Sequence, residues 1–283
     1  MFSNCYAATG ILWLLALAPA GLAAEEFAGT ITRTDPDTGT VTLAAAPSSD
    51  PVTLKVAGGD AVIYEEGARI RGERDGDWLR NIWPAGKRDE AIMEAAARSL
   101  RADTVRRGRG VFRSLGERLP NFALYNQAGE VVNSRDLRGT DTVINFIFTR
   151  CTQPEMCPLS TKKMAEMQDM AEERNIGDLR FVTITFDPAF DTPGRLHAYA
   201  EAYGIDTANY DFLTGPDKVI ADLMKQLGVL RMSDETLIWN HTLATILVAP
   251  DGSLYYRVPN SRWSPEDFLN QIEKRRQHAN DPA

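Results

Sequence analysis

Residues 27–34, 39–45 and 52–56 are short runs rich in Thr and Val, separated by Asp35-Pro36-Asp37-Thr38-Gly39 and by Pro47-Ser48-Ser49-Asp50-Pro51. Such runs between turn formers predict strands punctuated by turns. Further runs at 61–64, 68–73 and 78–83 extend this to a small all-β, barrel-like domain over 24–84. Past Pro84 the period changes. Ala91, Ile92, Ala95, Ala96, Ser99 and Leu100 recur at helical spacing, with Arg98, Arg101, Arg106, Arg107, Arg109, Arg113 and Arg118 around or after them. This predicts a helical, basic linker over 85–120, read first as a solvated face and alternatively as a contact for an acidic partner or anionic lipid headgroups.

From residue 121 the pattern is α/β. A hairpin is expected at 122–132 around Asn126-Gln127-Ala128-Gly129. Residues 143–148 are nearly continuously apolar, as a strand covered on both faces requires. A helix over 158–174, a strand over 181–186, helices over 193–203 and 216–227, strands over 242–248 and 254–258, and a helix over 265–276 follow, with 278–283 a charged tail.

The first residues differ from this body. Residues 11–17 are apolar, Pro19 follows, and then come Ala20, Gly21, Leu22, Ala23 and Ala24, the pattern of a secretory signal peptide over 1–23. Residues 1–10 carry no Lys or Arg, and an uncleaved membrane anchor is the alternative; either places the body outside the cytoplasm, periplasmic or membrane-associated facing the periplasm. The 283 residues carry a formal net charge of -8, which argues against nucleic acid as a partner.

Cys5 would leave with the signal, so the mature chain would keep Cys151 and Cys157. A staple closing so short a loop contributes roughly 2 kcal/mol on the chain-entropy formula. Two thiols held close in an oxidising compartment are better explained by metal or redox chemistry. Cys157 precedes Pro158, a residue favoured at the start of a helix, so it is expected as the N-cap, where amide N–H groups and the helix dipole favour thiolate. Two thiolates leave a metal short of ligands, which directs attention to the histidines. His278 lies in the tail and His197 on a helix beside Arg195 and Glu201, while His241 stands at the mouth of an apolar strand. From its position alone, His241 reads as a structural loop histidine. Met156 is a possible soft ligand, with packing the commoner role.

Residues 143–151, Val-Ile-Asn-Phe-Ile-Phe-Thr-Arg-Cys, followed by Cys157-Pro158, resemble the copper-motif region of the Sco/SenC family. Phe186-Asp187-Pro188 with Asp191-Thr192-Pro193 resembles that family's Asp-Pro-x-x-Asp-Thr-Pro stretch, and Asn240-His241-Thr242 ahead of Val248-Ala249-Pro250-Asp251-Gly252 resembles its histidine segment. The resemblance spans about residues 121–277. It implies a thioredoxin-like domain, Cys151, Cys157 and His241 as ligands of copper, as Cu(I), Cu(II) or both, and Asp187 near the site. It also implies a role in cytochrome c oxidase assembly, with an oxidase subunit or another copper-receiving protein as partner. Five residues separate the cysteines here where the family usually has three, a spacing that still allows both sulfurs to meet one ion. For Asp187, an acceptor that orients a ligand and a turn cap at a strand end are both open. The alternative function is a thiol-disulfide oxidoreductase using Cys151 and Cys157 on a partner's cysteines. Asn240-His241-Thr242 also forms a glycosylation sequon, for which the histidine reading is preferred.

Overall fold

The computed structural model describes residues 25–45, 50–229, 231–234, 237–241 and 243–280; for 231–234 and 237–241 the description is of the backbone. The expected signal segment, with Cys5, lies outside the described residues. Strands β1 (Glu25–Asp35), β2 (Thr40–Ala44), β3 (Val52–Lys55), β4 (Arg69–Asp75) and β5 (Trp78–Pro84) pair in the order β1-β2-β3-β5-β4, and β4 pairs back to β1. Their alternation turns Ile31, Val41, Leu43, Leu54, Ile70, Leu79 and Ile82 into one small core.

The strand expected at 61–64 is instead the short helix α1 (Gly58–Ile63). Ala61 and Tyr64 are both buried against the ring core at helical spacing, and this packing overrides the strand preference of Val62 and Ile63. The expectation of an N-terminal segment built of strands alone is corrected accordingly.

The linker is the helix α2 (Lys87–Arg107), but its buried face is Met93, Ala96, Leu100 and Thr104, while Ala91, Ala95 and Ser99 face solvent. The expected solvated basic tail is also corrected at two positions. Arg113 is 8% exposed and donates to Asp103, to Gln226 Oε1 at 2.7 Å and to the Arg118 carbonyl at 2.7 Å. Arg107 pairs with Asp103 and with Glu117 at 2.7 Å.

Beyond α2 lie the hairpin β6 (Ala123–Tyr125) and β7 (Val131–Asn133), then β8 (Asp141–Ile147), α3 (Cys157–Glu173), β9 (Leu179–Thr185), α4 (Pro193–Ala202), β10 (Tyr210–Leu213) and α5 (Asp217–Leu227). The hairpin β11 (Arg231–Asp234) and β12 (Leu237–His241), then β13 (Ala244–Val248), β14 (Leu254–Pro259) and α6 (Pro265–Asn280) complete the chain. The main sheet has the order β10-β9-β8-β13-β14, with β8, β9 and β10 parallel and β13 antiparallel to both neighbours. β10 and the β11–β12 hairpin were not expected from the sequence.

Both faces of the sheet are covered. Ile144, Phe146, Val182, Ile184, Ile246 and Val248 pack with α5 and Leu100 of α2. Val143, Phe181 and Leu247 pack on the other face with Met164, Met167, Leu196, Phe268 and Ile272. A buried polar line crosses that second face, Ser160 to Asn145 at 3.2 Å, Asn145 to Thr183 and Thr183 to Tyr210 at 2.6 Å, and penalises any slip of strand register. Asp141, at the start of β8, is 1% exposed and receives Arg275 at 2.7 Å and Arg276 at 2.9 Å from α6.

The ring meets the main sheet's helices where α1 crosses α4. Gly59 and Gly194 bring the backbones so close that a Cβ on either would overlap the other helix. Asp60 is buried in this contact, its Oδ1 has no hydrogen-bond partner, and burial pushes its pKa up to about 7 against the pull of Arg195. Because the folded-state pKa lies above the unfolded value, the chain is most stable while Asp60 is protonated. Stability falls as pH rises from about 4 to about 7, by up to about 4 kcal/mol at 1.36 kcal/mol per unit. Asp191, raised to about 6, adds a loss of the same sign. Urea midpoints at pH 4.5 and 7.5 should therefore converge in Asp60→Asn relative to the parent chain; an unchanged difference would contradict this role.

Candidate metal and thiol centre

The parallel strands β8, β9 and β10 end at one edge of the sheet, and there the chain turns into loops. This is where open α/β sheets gather ligands. From β8 the chain runs through Phe148, Thr149 and Arg150 to Cys151, then through a five-residue loop to Cys157, the first residue of α3. Met156, with φ -110° and ψ -110°, is the N-cap, so the expectation of Cys157 as cap is off by one residue. Pro158 lies in the first turn as expected.

The fold brings the two thiols into hydrogen-bond contact as free cysteines, Cys151 partly exposed and Cys157 fully buried. The Cys157 thiol donates to Cys151 and is the main reason that the Cys151 pKa falls to about 6; backbone groups of Cys157 and Gln153 assist, and partial burial opposes. Cys157 moves the other way, well above the ordinary thiol range, because it supplies that hydrogen bond and is desolvated. The helix terminus alone would favour thiolate at Cys157; desolvation of Cys157 and the hydrogen bond between the two side chains favour it at Cys151 instead.

Two carboxylates brace the loop. Asp187, 5% exposed at the end of β9, accepts from Arg150 Nε at 2.9 Å and Nη2 at 2.5 Å, so it is tied to the residue that precedes Cys151. Asp191 is fully buried and accepts from the Thr149 amide at 3.2 Å and from the Thr149 and Thr185 hydroxyls. Burial pushes its pKa up to about 6, against those hydrogen bonds. Phe190 lies between the Arg150 and Arg195 guanidiniums, 4.4 and 4.0 Å from its ring centre, a cation–π pair that links the loop to α4. Arg150, Phe190 and Asp191 were not singled out in the sequence; the Asp-Pro-x-x-Asp-Thr-Pro stretch was the signal for Asp191.

His241 ends β12, its backbone paired with Arg231. Two residues on, Leu243 is buried in the same core cluster as Cys157. Continuing the β8–β13 register brings Leu243 opposite Ile147, at the edge that carries the thiols. The backbone thus approaches the site, while the imidazole lies outside the described side chains. Among the described residues, no three His, Cys, Asp or Glu side chains cluster as a metal site. Met156 packs against the main core, as its commoner reading has it. His197 lies 3.5 Å from Glu201 on α4, and His278 contacts the Lys274 carbonyl at 2.7 Å; neither belongs to the centre.

A thiolate at Cys151 near neutrality makes it the reactive sulfur. Alkylation by iodoacetamide should be half-maximal near pH 6. Removing the donor in Cys157→Ala should raise that midpoint by about one pH unit or more; an unmoved midpoint would contradict proton sharing between the two sulfurs.

The SCO1/SenC family pattern matches residues 115–277. The SCO1 protein homolog of Bacillus subtilis is 33% identical over 160 residues, 54% of this chain and 79% of that protein. A Stutzerimonas stutzeri protein named as a candidate copper binder is 30% identical, over 54% of this chain and 76% of its own length. Among solved structures, a SCO1/SenC family lipoprotein from Bacillus anthracis superposes with a TM-score of 0.53 at 29% identity, covering 58% of this chain and 98% of that one. BsSco, described as a member of the Sco family of cytochrome c oxidase assembly proteins with a disulfide switch, gives 0.50 at 27%, covering 57% and 95%. With more than half of its length matched by the family pattern, and with the thiol pair on a thioredoxin-like sheet, the chain belongs to the SCO1/SenC family.

Proposed function

We propose that this chain is an exported copper-binding assembly factor that delivers copper to, or otherwise matures, a respiratory cytochrome c oxidase. The observation that carries this reading is the pair of free cysteines brought together at the open edge of the sheet in a SCO1/SenC chain, with the Cys151 thiol pulled down by its hydrogen bond with Cys157. Soft sulfur donors with an imidazole suit copper, and Cu(I) above all. Cys151, Cys157 and His241 would hold the ion. Arg150 and Asp187 would tune the charge behind it, since their ion pair sits beside Cys151. The copper-binding name of one relative and the assembly role stated for BsSco support the assignment.

Export is supported by the signal-like composition of residues 1–23 and by the lipoprotein nature of the Bacillus anthracis relative. No helix among the described residues is long and apolar enough to cross a membrane. The proposed division is a signal over 1–23, a ring module over 24–84, a linker over 85–120 and the SCO1/SenC domain over 121–277.

A second reading rests on the unequal protonation of the thiols. The Cys151 thiolate attacks a partner disulfide and forms a mixed disulfide, releasing one partner thiolate; Cys157, losing its proton, then attacks Cys151. The partner leaves as a dithiol and this chain as the Cys151–Cys157 disulfide, so two electrons pass to the partner. Both activities can reside in one centre.

Copper titration of the reduced protein separates the readings. One Cu(I) should bind per chain and be lost in Cys151→Ser and Cys157→Ser. Asp187→Asn should weaken binding by about tenfold, the order expected of a group behind the ligands. If His241→Ala leaves copper affinity and thiolate-to-copper absorption unchanged, the three-ligand centre is wrong. Disulfide reduction that survives His241→Ala and vanishes in Cys157→Ser would favour the oxidoreductase.

A further inference from the structure

A concave surface of about 1030 Å³ lies between α2 and α5, and neither cysteine lines it. Its floor is small and apolar, formed by Ala97, Ala102, Val105, Val219 and Ala221. Val105 is 64% exposed, far more than a valine on the packed face of a helix would be. The α2 residues belong to one stripe, 94, 97, 98, 101, 102, 105 and 106, and the α5 residues to another, 218, 221, 222 and 225. Two such stripes side by side form a trough of helical dimensions.

The trough is lined by more cations than carboxylates. Arg98, Arg101, Arg106, Lys218 and Lys225 stand along it against two carboxylates, Glu94 and Asp222, in a protein whose net charge is -8. Those two are already engaged, Glu94 with Arg98 at 3.3 Å and Asp222 with Arg101 at 3.0 Å. Lys218 and Lys225 have no ion pair among the described residues, and lie seven residues and about 10 Å apart on α5. Arg98 and Arg106 form a row of similar spacing, about 12 Å, on α2, each already in an exposed ion pair of its own, with Glu94 and with Asp103 at 2.6 Å.

We propose that this trough docks an acidic amphipathic helix of a partner protein. Small floor residues allow a third helix to approach within about 8–10 Å of α2 and α5. Its apolar stripe would cover Val105 and the alanines, and carboxylates spaced two turns apart would meet the lysine row on one flank and the arginine row on the other. A flat anionic bilayer is the poorer occupant, because it cannot enter a concave trough to reach the alanines. The trough continues past Glu94, Lys218 and Val219 into a smaller apolar cavity against Trp83, Tyr125 and Pro216. That cavity adjoins a cleft reaching Pro188, next to Asp187 of the thiol centre.

The test is fluorescence anisotropy of the full chain with a labelled amphipathic helix of about four turns, Leu on one face and Glu flanking it at i, i+4 and i+7. Binding is expected at low salt, weakening as salt is raised. It should be absent for the same peptide with Lys in place of Glu. Lys218→Glu with Lys225→Glu, and separately Val105→Asp, should each weaken it at least tenfold, while Lys55→Glu on the ring leaves it unchanged. No binding at low salt, or binding indifferent to the lysine reversals, overturns the proposal. So does sedimentation with anionic phosphatidylglycerol vesicles that the reversals abolish while the peptide stays unbound, which would assign the surface to a membrane. Copper stoichiometry measured on the same variants should stay at the parent value, so failure of the copper reading and failure of the docking reading are separate results.

Discussion

A single proton shared between Cys151 and Cys157 organises this molecule's chemistry. Sulfur buried without a partner is costly to ionise, whereas sulfur that accepts a hydrogen bond from a second thiol is not. Placing Cys157 in the core at the start of α3 and Cys151 at the rim makes the buried thiol a donor and the accessible one a thiolate. In the proposed function, a soft metal ion or an electrophilic disulfide would meet the Cys151 thiolate with the second sulfur of Cys157 close by. The longer cysteine loop does not prevent this meeting, because strand end and helix start, rather than loop length, set where the sulfurs stand.

The surroundings are arranged to keep that geometry. Asp191 pins Thr149 at the root of the loop, Arg150 is held by Asp187, and Phe190 between two guanidiniums carries the connection to Arg195 on α4. Arg195 also feels the buried Asp60 carboxyl of α1 across the Gly59–Gly194 contact. The N-terminal ring is therefore joined to the thiol loop through a short series of packed and charged groups.

The main sheet was legible because strands buried on both faces must be apolar throughout, as residues 143–148 and 181–186 are. The helix start at Cys157 was legible from Pro158. Helix α1 was not, since Val62 and Ile63 favour strands and only the crossing with α4 makes a helix the better solution. β10, four residues of Tyr-Asp-Phe-Leu, is too short to announce itself without its parallel partner β9. Which sulfur holds the proton could not be read either, because it depends on a difference in burial between two residues of the same type. The Arg150–Phe190–Arg195 stack joins groups remote along the chain, and the linker arginines that fold back on Asp103 and Glu117 look from the sequence like any solvated run.

In the proposed function both sulfurs and the His241 imidazole converge on one ion. X-ray absorption of the reduced protein loaded with one equivalent of Cu(I) reads that coordination. The expected first coordination shell is two sulfur scatterers and one nitrogen, with the nitrogen and its imidazole outer-shell features lost in His241→Ala. A shell of sulfur alone, identical in that variant, would contradict it and leave a dithiol centre.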